Sequence, residues 1–290
     1  MVIQPFEYLT PKTLPEALAL LEEKNGAAHP LAGGTDLLVL MKLGKMAPKF
    51  LVSLRNISEL NSIKSTTLLS TIGAGVTVSE IADSGLCAHN PAMADLVQQM
   101  ATLQIRNRAT IGGNLCTAAA CADFPPVLFV NDATVHLVST EGFRDVELKH
   151  FFTGPRQTIK KTNELLVSIS FRKSNIGTAY MKFGMRKAGN IPIVGVACSM
   201  DIKQGRIRDL KVAVTAASPT PMLIAEAAQT ALSQKPNDAT WEAIAKVIPD
   251  CLAPISDLRG SVEYRLHLAQ VATRRALQKA YARYTGAFDA

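Results

Sequence analysis

The chain has 290 residues, 48% of them hydrophobic, and a formal net charge of +7. That length allows two or three compact domains, and the even spread of Leu, Ala, Val and Ile excludes a disordered or low-complexity protein. The charge comes without a basic tail or an aromatic-interleaved basic run, which excludes a nucleic-acid reader, and no apolar run nears the roughly 18 residues of a membrane span.

A basic surface that meets an anionic cofactor or an acidic partner accounts for the charge better. The N-terminus lacks the charged-then-apolar pattern of a signal peptide, so a cytoplasmic setting is expected. The five cysteines, Cys87, Cys116, Cys121, Cys198 and Cys251, are odd in number and widely spaced, which argues against a disulfide framework. Cys116 and Cys121 match the first step of a plant-type [2Fe–2S] spacing, but the next ligand position is Phe124. No C-x-x-C occurs, so no cluster or zinc site is expected within this chain.

Residues 1–55 read as a small α/β unit. A short strand at 6–9 is followed by a helix opened by Thr13, Pro15 and Glu16 and ended at Gly26. A second short strand, 30–32, runs into Gly33-Gly34-Thr35-Asp36 and then a helix over 37–42. A third strand covers 50–54. A strand, a glycine turn and a helix start together place free amides at one point, which suits a phosphate. The same residues also suit a plain capped helix start, and they match neither the dinucleotide fingerprint nor the P-loop.

Residues 56–176 form a second unit. Strands are expected at 68–74 and 165–171, a hairpin at 133–138 and 143–148, and helices at 77–81 and 91–101. Between them lies the densest stretch of the chain, residues 102–130. Gly112 and Gly113 read as a turn where backbone can approach a ligand closely. Thr110, Asn114 and Thr117 supply short polar side chains. Asp123, followed by Phe124-Pro125-Pro126, reads as a helix cap.

Residues 177–290 change character. Three strands at 179–185, 194–202 and 210–216 are joined by short connections and pair antiparallel. Helices follow at 225–232, 241–248 and 262–284. The last helix places Leu266, Leu268, Val271, Ala272 and Leu277 inside and Arg265, Arg274, Arg275 and Lys279 outside. The five His are isolated, and no H-E-x-x-H or G-x-S-x-G motif appears. A chain with two glycine loops and no acid–base cluster reads as a cofactor holder.

Two segments, Leu31-Ala32-Gly33-Gly34-Thr35-Asp36-Leu37 and Gln104-Ile105-Arg106-Asn107-Arg108-Ala109-Thr110-Ile111-Gly112-Gly113-Asn114-Leu115, resemble the paired flavin motifs of the medium, FAD-binding subunit of molybdenum hydroxylases. This is the xanthine dehydrogenase and carbon monoxide dehydrogenase family. The similarity runs from Phe6-Glu7-Tyr8 to Glu263-Tyr264-Arg265-Leu266-His267-Leu268. The resemblance implies an α+β chain. A two-part α/β FAD-binding domain (PCMH-like) over 1–176, divided as 1–55 and 56–176, precedes a small antiparallel sheet with helices over 177–290.

By that resemblance Leu31, Ala32, Gly33, Gly34, Thr35, Asp36 and Leu37 wrap the FAD pyrophosphate. Thr110, Gly113, Asn114 and Thr117 form the second side of the diphosphate and ribityl site. Asp123 bonds a polar part of FAD, and Lys182 lies near the flavin. Residues 159–166 pass the ring edge. Lys182 also suits a side chain that snorkels from a strand, and Arg106 and Arg108 suit solvated charges as well as phosphate ligands. Ala119 stands where relatives often have Ser, and Met100 where some have an aromatic ring. Partners implied are a large molybdopterin-binding subunit and a small [2Fe–2S] subunit, in a dimer of heterotrimers. Electrons pass through FAD to NAD or another acceptor. A flavin-free scaffold subunit and a stand-alone flavin oxidoreductase are the alternatives.

Overall fold

The computed structural model describes residues 3–173, 177–186 and 189–287. The expected domain boundary at 176/177 borders residues 174–176, which lie outside the described residues. The first layer is a small parallel sheet. Strand β1 (Glu7–Leu9) leads through α1 (Leu14–Glu23) to β2 (Ala28–Leu31), and α2 (Leu37–Lys42) carries the chain on to β3 (Phe50–Ser53). β3 lies between the other two and is parallel to both. Parallel neighbours need crossovers, and the two helices provide them. α1 forms for the reasons its sequence gives: the Thr13 hydroxyl accepts from the Glu16 amide, a proline sits in the first turn, and Ala17, Leu18 and Leu21 are buried.

The second layer begins with β4 (Ile63–Ser65) and β5 (Leu69–Gly73). Five helices follow: α3 (Val78–Asp83), α4 (Pro91–Gln99), α5 (Leu103–Arg106), α6 (Ile111–Thr117) and α7 (Phe124–Phe129). The chain then returns as β6 (Thr134–Ser139), β7 (Gly142–Glu147), a short pair β8 (Phe152–Gly154) and β9 (Gln157–Thr158), and β10 (Leu165–Arg172). The larger sheet is antiparallel, in the order β4-β5-β10-β6-β7. Leu96 of α4, Ile111 and Leu115 of α6, and Phe124 and Val127 of α7 join Ile72, Val135 and Ile169 of the sheet in one apolar cluster.

Thr77 caps α3 with a reciprocal box. Its hydroxyl accepts from the Glu80 amide, and the Glu80 carboxylate accepts from the Thr77 amide. Thr77→Ala is expected to lower stability by about 1–2 kcal/mol. Thermal unfolding checks this, and an unchanged transition would show that the box contributes nothing.

The third layer is antiparallel: β11 (Gly177–Gly184), β12 (Pro192–Lys203), β13 (Arg206–Thr215) and β14 (Met222–Leu223), in that order. Gln204 and Gly205 both take positive φ, 52° and 70°, and close the β12–β13 hairpin. Helices α8 (Ala225–Ala231), α9 (Asp238–Val247) and α10 (Val262–Tyr284) cover one face. Trp241, Ile244, Leu268, Ala272 and Leu277 pack there with Val196, Cys198 and Val212.

Four expectations change. Gly112 and Gly113 are not a turn: they lie inside the first turn of α6, and neither has positive φ. The helix expected over 91–101 stops at Gln99, because Met100 is extended and Ala101 is left-handed at φ 51°. Arg265 is not outside α10 but 2% exposed within it. Asp123 precedes α7 yet makes no capping bond, since its carboxylate is taken by groups on β11.

Candidate functional site

The two glycine segments meet at Gly33. A Cβ on Gly33 would overlap the carbonyl oxygen of Arg108, and would stand 2.6 Å from its carbonyl carbon and 3.1 Å from Ala109 Cα. Only a residue without a side chain lets the two backbones touch there. Gly34, one residue on, takes φ +75°, the left-handed region that glycine tolerates. Beside this contact lies a cleft of about 430 Å³.

The structure brings most of the expected site residues to that cleft. Leu31, Ala32, Gly33, Gly34, Thr35, Asp36 and Leu37 line it, as do Thr110, Gly113, Asn114 and Thr117. Of residues 159–166, Lys160, Leu165 and Leu166 line it. Met100 and Ile105 close one side with apolar surface. Asp123 and Lys182 do not line it. Sequence reasoning missed His29, Met46 and Arg156 as cleft residues. His29 precedes the first glycine loop, and Met46 and Arg156 have no local spacing that could have pointed to them.

The two loops play different parts. Among the described residues, the amides of Gly33, Gly34, Thr35, Asp36 and Leu37 meet no protein acceptor. A run of unused amides at a helix start is an anion cradle. In the second loop the amides of Ile111, Gly112, Gly113 and Asn114 are all taken. Ile111 donates to Val76 O at 3.1 Å and Gly112 to Ala74 O at 2.9 Å. Gly113 donates to Thr110 Oγ1 at 3.0 Å and Asn114 to Thr110 O at 3.0 Å. This loop therefore offers side chains and a flat glycine surface. Asn114 Oδ1 is buried with no hydrogen-bond partner. A buried, unpaired carbonyl costs about 1–3 kcal/mol unless a donor reaches it.

The electrostatics favour an anion. Arg156 and Lys160 are cationic and Asp36 is the one carboxylate among the lining residues. The Lys160 ammonium donates to the carbonyls of Lys161 (2.9 Å) and Glu164 (3.1 Å). Neither is a counterion, so its charge is left for a ligand. Burial, and then the nearby Lys160, lower the pKa of His29, which keeps that imidazole neutral. Burial pushes the Cys116 thiol up, with Lys160 opposing. Cys116 is therefore a thiol and not a thiolate in this cleft.

Behind Met100 lies a second polar group of residues. The Lys182 ammonium sits 2.9 Å from Asp123 Oδ1, with side-chain exposures of 2% and 11%. It also approaches the carbonyl of Gln99, the residue before Met100, at 3.4 Å. The Tyr180 hydroxyl donates to the same Asp123 oxygen at 2.8 Å. Lys182 is therefore a buried ion-pair partner and not a snorkelling side chain. Among the described residues no group of three or more His, Cys, Asp or Glu could hold a metal ion. No helix among them is long and apolar enough to cross a membrane.

Comparisons with known proteins identify the family and the fold. The family model for the FAD binding domain in molybdopterin dehydrogenase matches residues 4–171. The model for the CO dehydrogenase flavoprotein C-terminal domain matches residues 179–280. The chain is 35% identical to the xanthine dehydrogenase FAD-binding subunit of Escherichia coli O157:H7, over 93% of this chain and 94% of that one. It is 31% identical to the carbon monoxide dehydrogenase medium chain of Hydrogenophaga pseudoflava, over 98% and 99%. A solved carbon monoxide dehydrogenase from Hydrogenophaga pseudoflava superposes with a TM-score of 0.94 at 31% identity, covering 98% of this chain and all of that one (100%). Quinoline 2-oxidoreductase from Pseudomonas putida 86 gives 0.92 at 28% identity, over 97% and 99%.

Proposed function

The chain belongs to the FAD-binding subunits of the molybdenum hydroxylase family, and from that premise we propose that it holds FAD in the cleft between its two glycine loops and relays electrons for a larger complex. The observation that carries the placement is the run of unused amides at 33–37 in the same cleft as the unpaired Asn114 Oδ1. Those amides donate to the diphosphate, and the Thr35 hydroxyl assists. Asn114 Oδ1 accepts from a ribityl or ring donor, with Thr110, Gly113 and Thr117 forming that wall. Arg156 and Lys160 balance the diphosphate charge. Met100, Ile105, Leu165 and Leu166 give the ring aliphatic and sulfur contacts in place of an aromatic stack.

Bound FAD supplies a link between one-electron donors and a two-electron acceptor. This chain's residues bind and orient it and keep water from its buried edge. The partners are a large molybdopterin-binding subunit and a small [2Fe–2S] subunit, in a cytoplasmic dimer of heterotrimers, with NAD or another acceptor taking the electrons. We also propose the division into an FAD-binding domain, 1–176 with parts 1–55 and 56–176, and a C-terminal domain, 177–290.

Purification of the chain with its co-expressed neighbours tests this reading. Visible flavin absorption at one FAD per chain is expected, together with co-purifying molybdenum and iron–sulfur subunits. A chain that takes up no flavin on reconstitution would be a scaffold subunit. A lone chain with stable activity of its own would be a stand-alone flavin oxidoreductase. Either result removes the electron-relay proposal.

A further inference from the structure

The cleft explains Asp123 only in part, because its carboxylate lies beyond the residues that line it. Both protein donors to Asp123, Tyr180 and Lys182, converge on one oxygen, Oδ1. Among the described residues, Oδ2 has no protein donor, and it is not among the fully buried unpaired atoms. Both donors come from β11, in the third layer, whereas Asp123 sits before α7 in the second. Tyr180 is 0% exposed. Its hydroxyl has a reserved position, since a Cβ on Gly195 of β12 would stand 2.7 Å from it. A glycine inside a strand at such an approach is the mark of a close contact that must be kept clear.

We propose that Tyr180 is a positioning residue for the cofactor: with Lys182 it pins one oxygen of Asp123, so that the other is presented to an N–H or O–H donor of the flavin nucleotide. The C-terminal layer thereby completes a site whose other residues belong to the first two layers. An ionised carboxylate is acceptor-only and accepts strongly from such a donor, whereas a protonated one accepts more weakly and can turn an O–H toward it. Burial raises the Asp123 pKa, and the Lys182 charge and the two hydrogen bonds oppose that rise. The titratable neighbours are few. Tyr180 and Lys182 face Asp123 from β11, and Cys121 on its own segment lies near the Tyr180 hydroxyl and near Arg259. Removing the Tyr180 hydroxyl takes away one of the opposing bonds, so the carboxylate protonates at higher pH and loses its charge-assisted hold on the donor there.

The inference rests on the FAD reading above, and the test separates the two. FAD is titrated into the full chain, freed of flavin, between about pH 5 and pH 9, following flavin fluorescence. Tyr180→Phe is expected to weaken FAD about tenfold at neutral pH. Its acid limb of binding is expected to move up by about one pH unit. Gly195→Ala, which displaces the hydroxyl without removing it, is expected to move both in the same direction. Asp123→Asn is expected to flatten the acid limb, and adding Tyr180→Phe to it is expected to change affinity by less than about twofold. Wild-type affinity and pH profile in Tyr180→Phe would overturn the inference. So would independent, multiplying losses from Tyr180→Phe and Asp123→Asn. Failure of the wild-type chain to bind FAD at all would instead overturn the proposed function.

Discussion

Gly33→Ala is expected to purify without flavin and to bind added FAD at least roughly a hundredfold more weakly than wild type, a loss of about 3 kcal/mol. The added methyl would meet the carbonyl of Arg108 and the Cα of Ala109, all backbone atoms with no rotamer to escape into. The two loops must separate, and the unused amides at 33–37 then leave the wall that carries Asn114 and Thr117. A cofactor held from both sides loses both sets of contacts at once. Gly113→Ala is the contrast. Among protein atoms its Cβ would meet only Thr110 Oγ1, at 2.9 Å, so it disturbs one helix cap and narrows one wall of the cleft but leaves the loops together, and a smaller loss of FAD affinity is expected. FAD content of the purified chains and fluorescence titration decide between them. Equal losses in the two variants would show that the loop contact is not what builds the site. Retained stoichiometric FAD in Gly33→Ala would show that FAD sits elsewhere.

The contrast between these two glycines marks what the sequence could convey. Adjacent glycines, a hydroxyl and an acid announce close backbone approach, and both loops do line one cleft. Which glycine touches what depends on a contact between Gly33 and Arg108, which local spacing cannot encode. The layers were legible because their signals are local. Thr13 and Thr77 mark helix starts through bonds made within one turn, and Gln204-Gly205 marks a hairpin. α6 was not legible, because Ile-Gly-Gly-Asn has poor helix propensity. It forms because its first amides are accepted by Val76 and Ala74, residues far back in the chain, and because Gly112 must pass against Ala74.

Arg265 was misplaced, and Lys182 stayed open between the flavin and solvent, for a related reason. A charge is taken as exposed unless its partner is known, and the partners of Lys182 and Arg265 lie 59 and 8 residues away in sequence. Asp123 before two prolines has the pattern of a cap, yet the stronger claim on its carboxylate comes from β11. In each case a tertiary bond outcompeted the local one, and the sequence displays only the local one.

Arg265 carries the second large effect. Its guanidinium is buried in α10 and donates to the carbonyls of Ile193 and Ala216, both at 2.8 Å, and to Asp257 Oδ1 at 2.6 Å. It thus ties the last helix to the start of β12, to the residue after β13 and to the loop before α10. Ala216 in turn donates its amide to Ala120 O at 2.8 Å, in the segment that leads to Asp123. The side chains of Arg265 and Asp257 are 3% and 24% exposed. Asp257→Asn removes the counter-charge and strands a buried cation, which is expected to cost about 3 kcal/mol. In a chain of this size that lowers the unfolding temperature by about 6–12 °C. Arg259→Gln is the contrast. Its partner is the same Asp257, but its side chain is 32% exposed and can return to water, so about 0.5 kcal/mol or less is expected. The pH dependence has a definite sign. Arg259, and with it Arg265, hold the Asp257 carboxyl far below the usual carboxylate range. A depressed acid stabilises the fold above its unfolded pKa of about 3.9 and loses that contribution as pH falls toward its folded value. The gap in unfolding temperature between wild type and Asp257→Asn is therefore expected to be constant above about pH 5 and to narrow below about pH 4. An unchanged unfolding temperature in Asp257→Asn at neutral pH would show that Arg265 is held by its two carbonyls alone and that the carboxylate adds nothing.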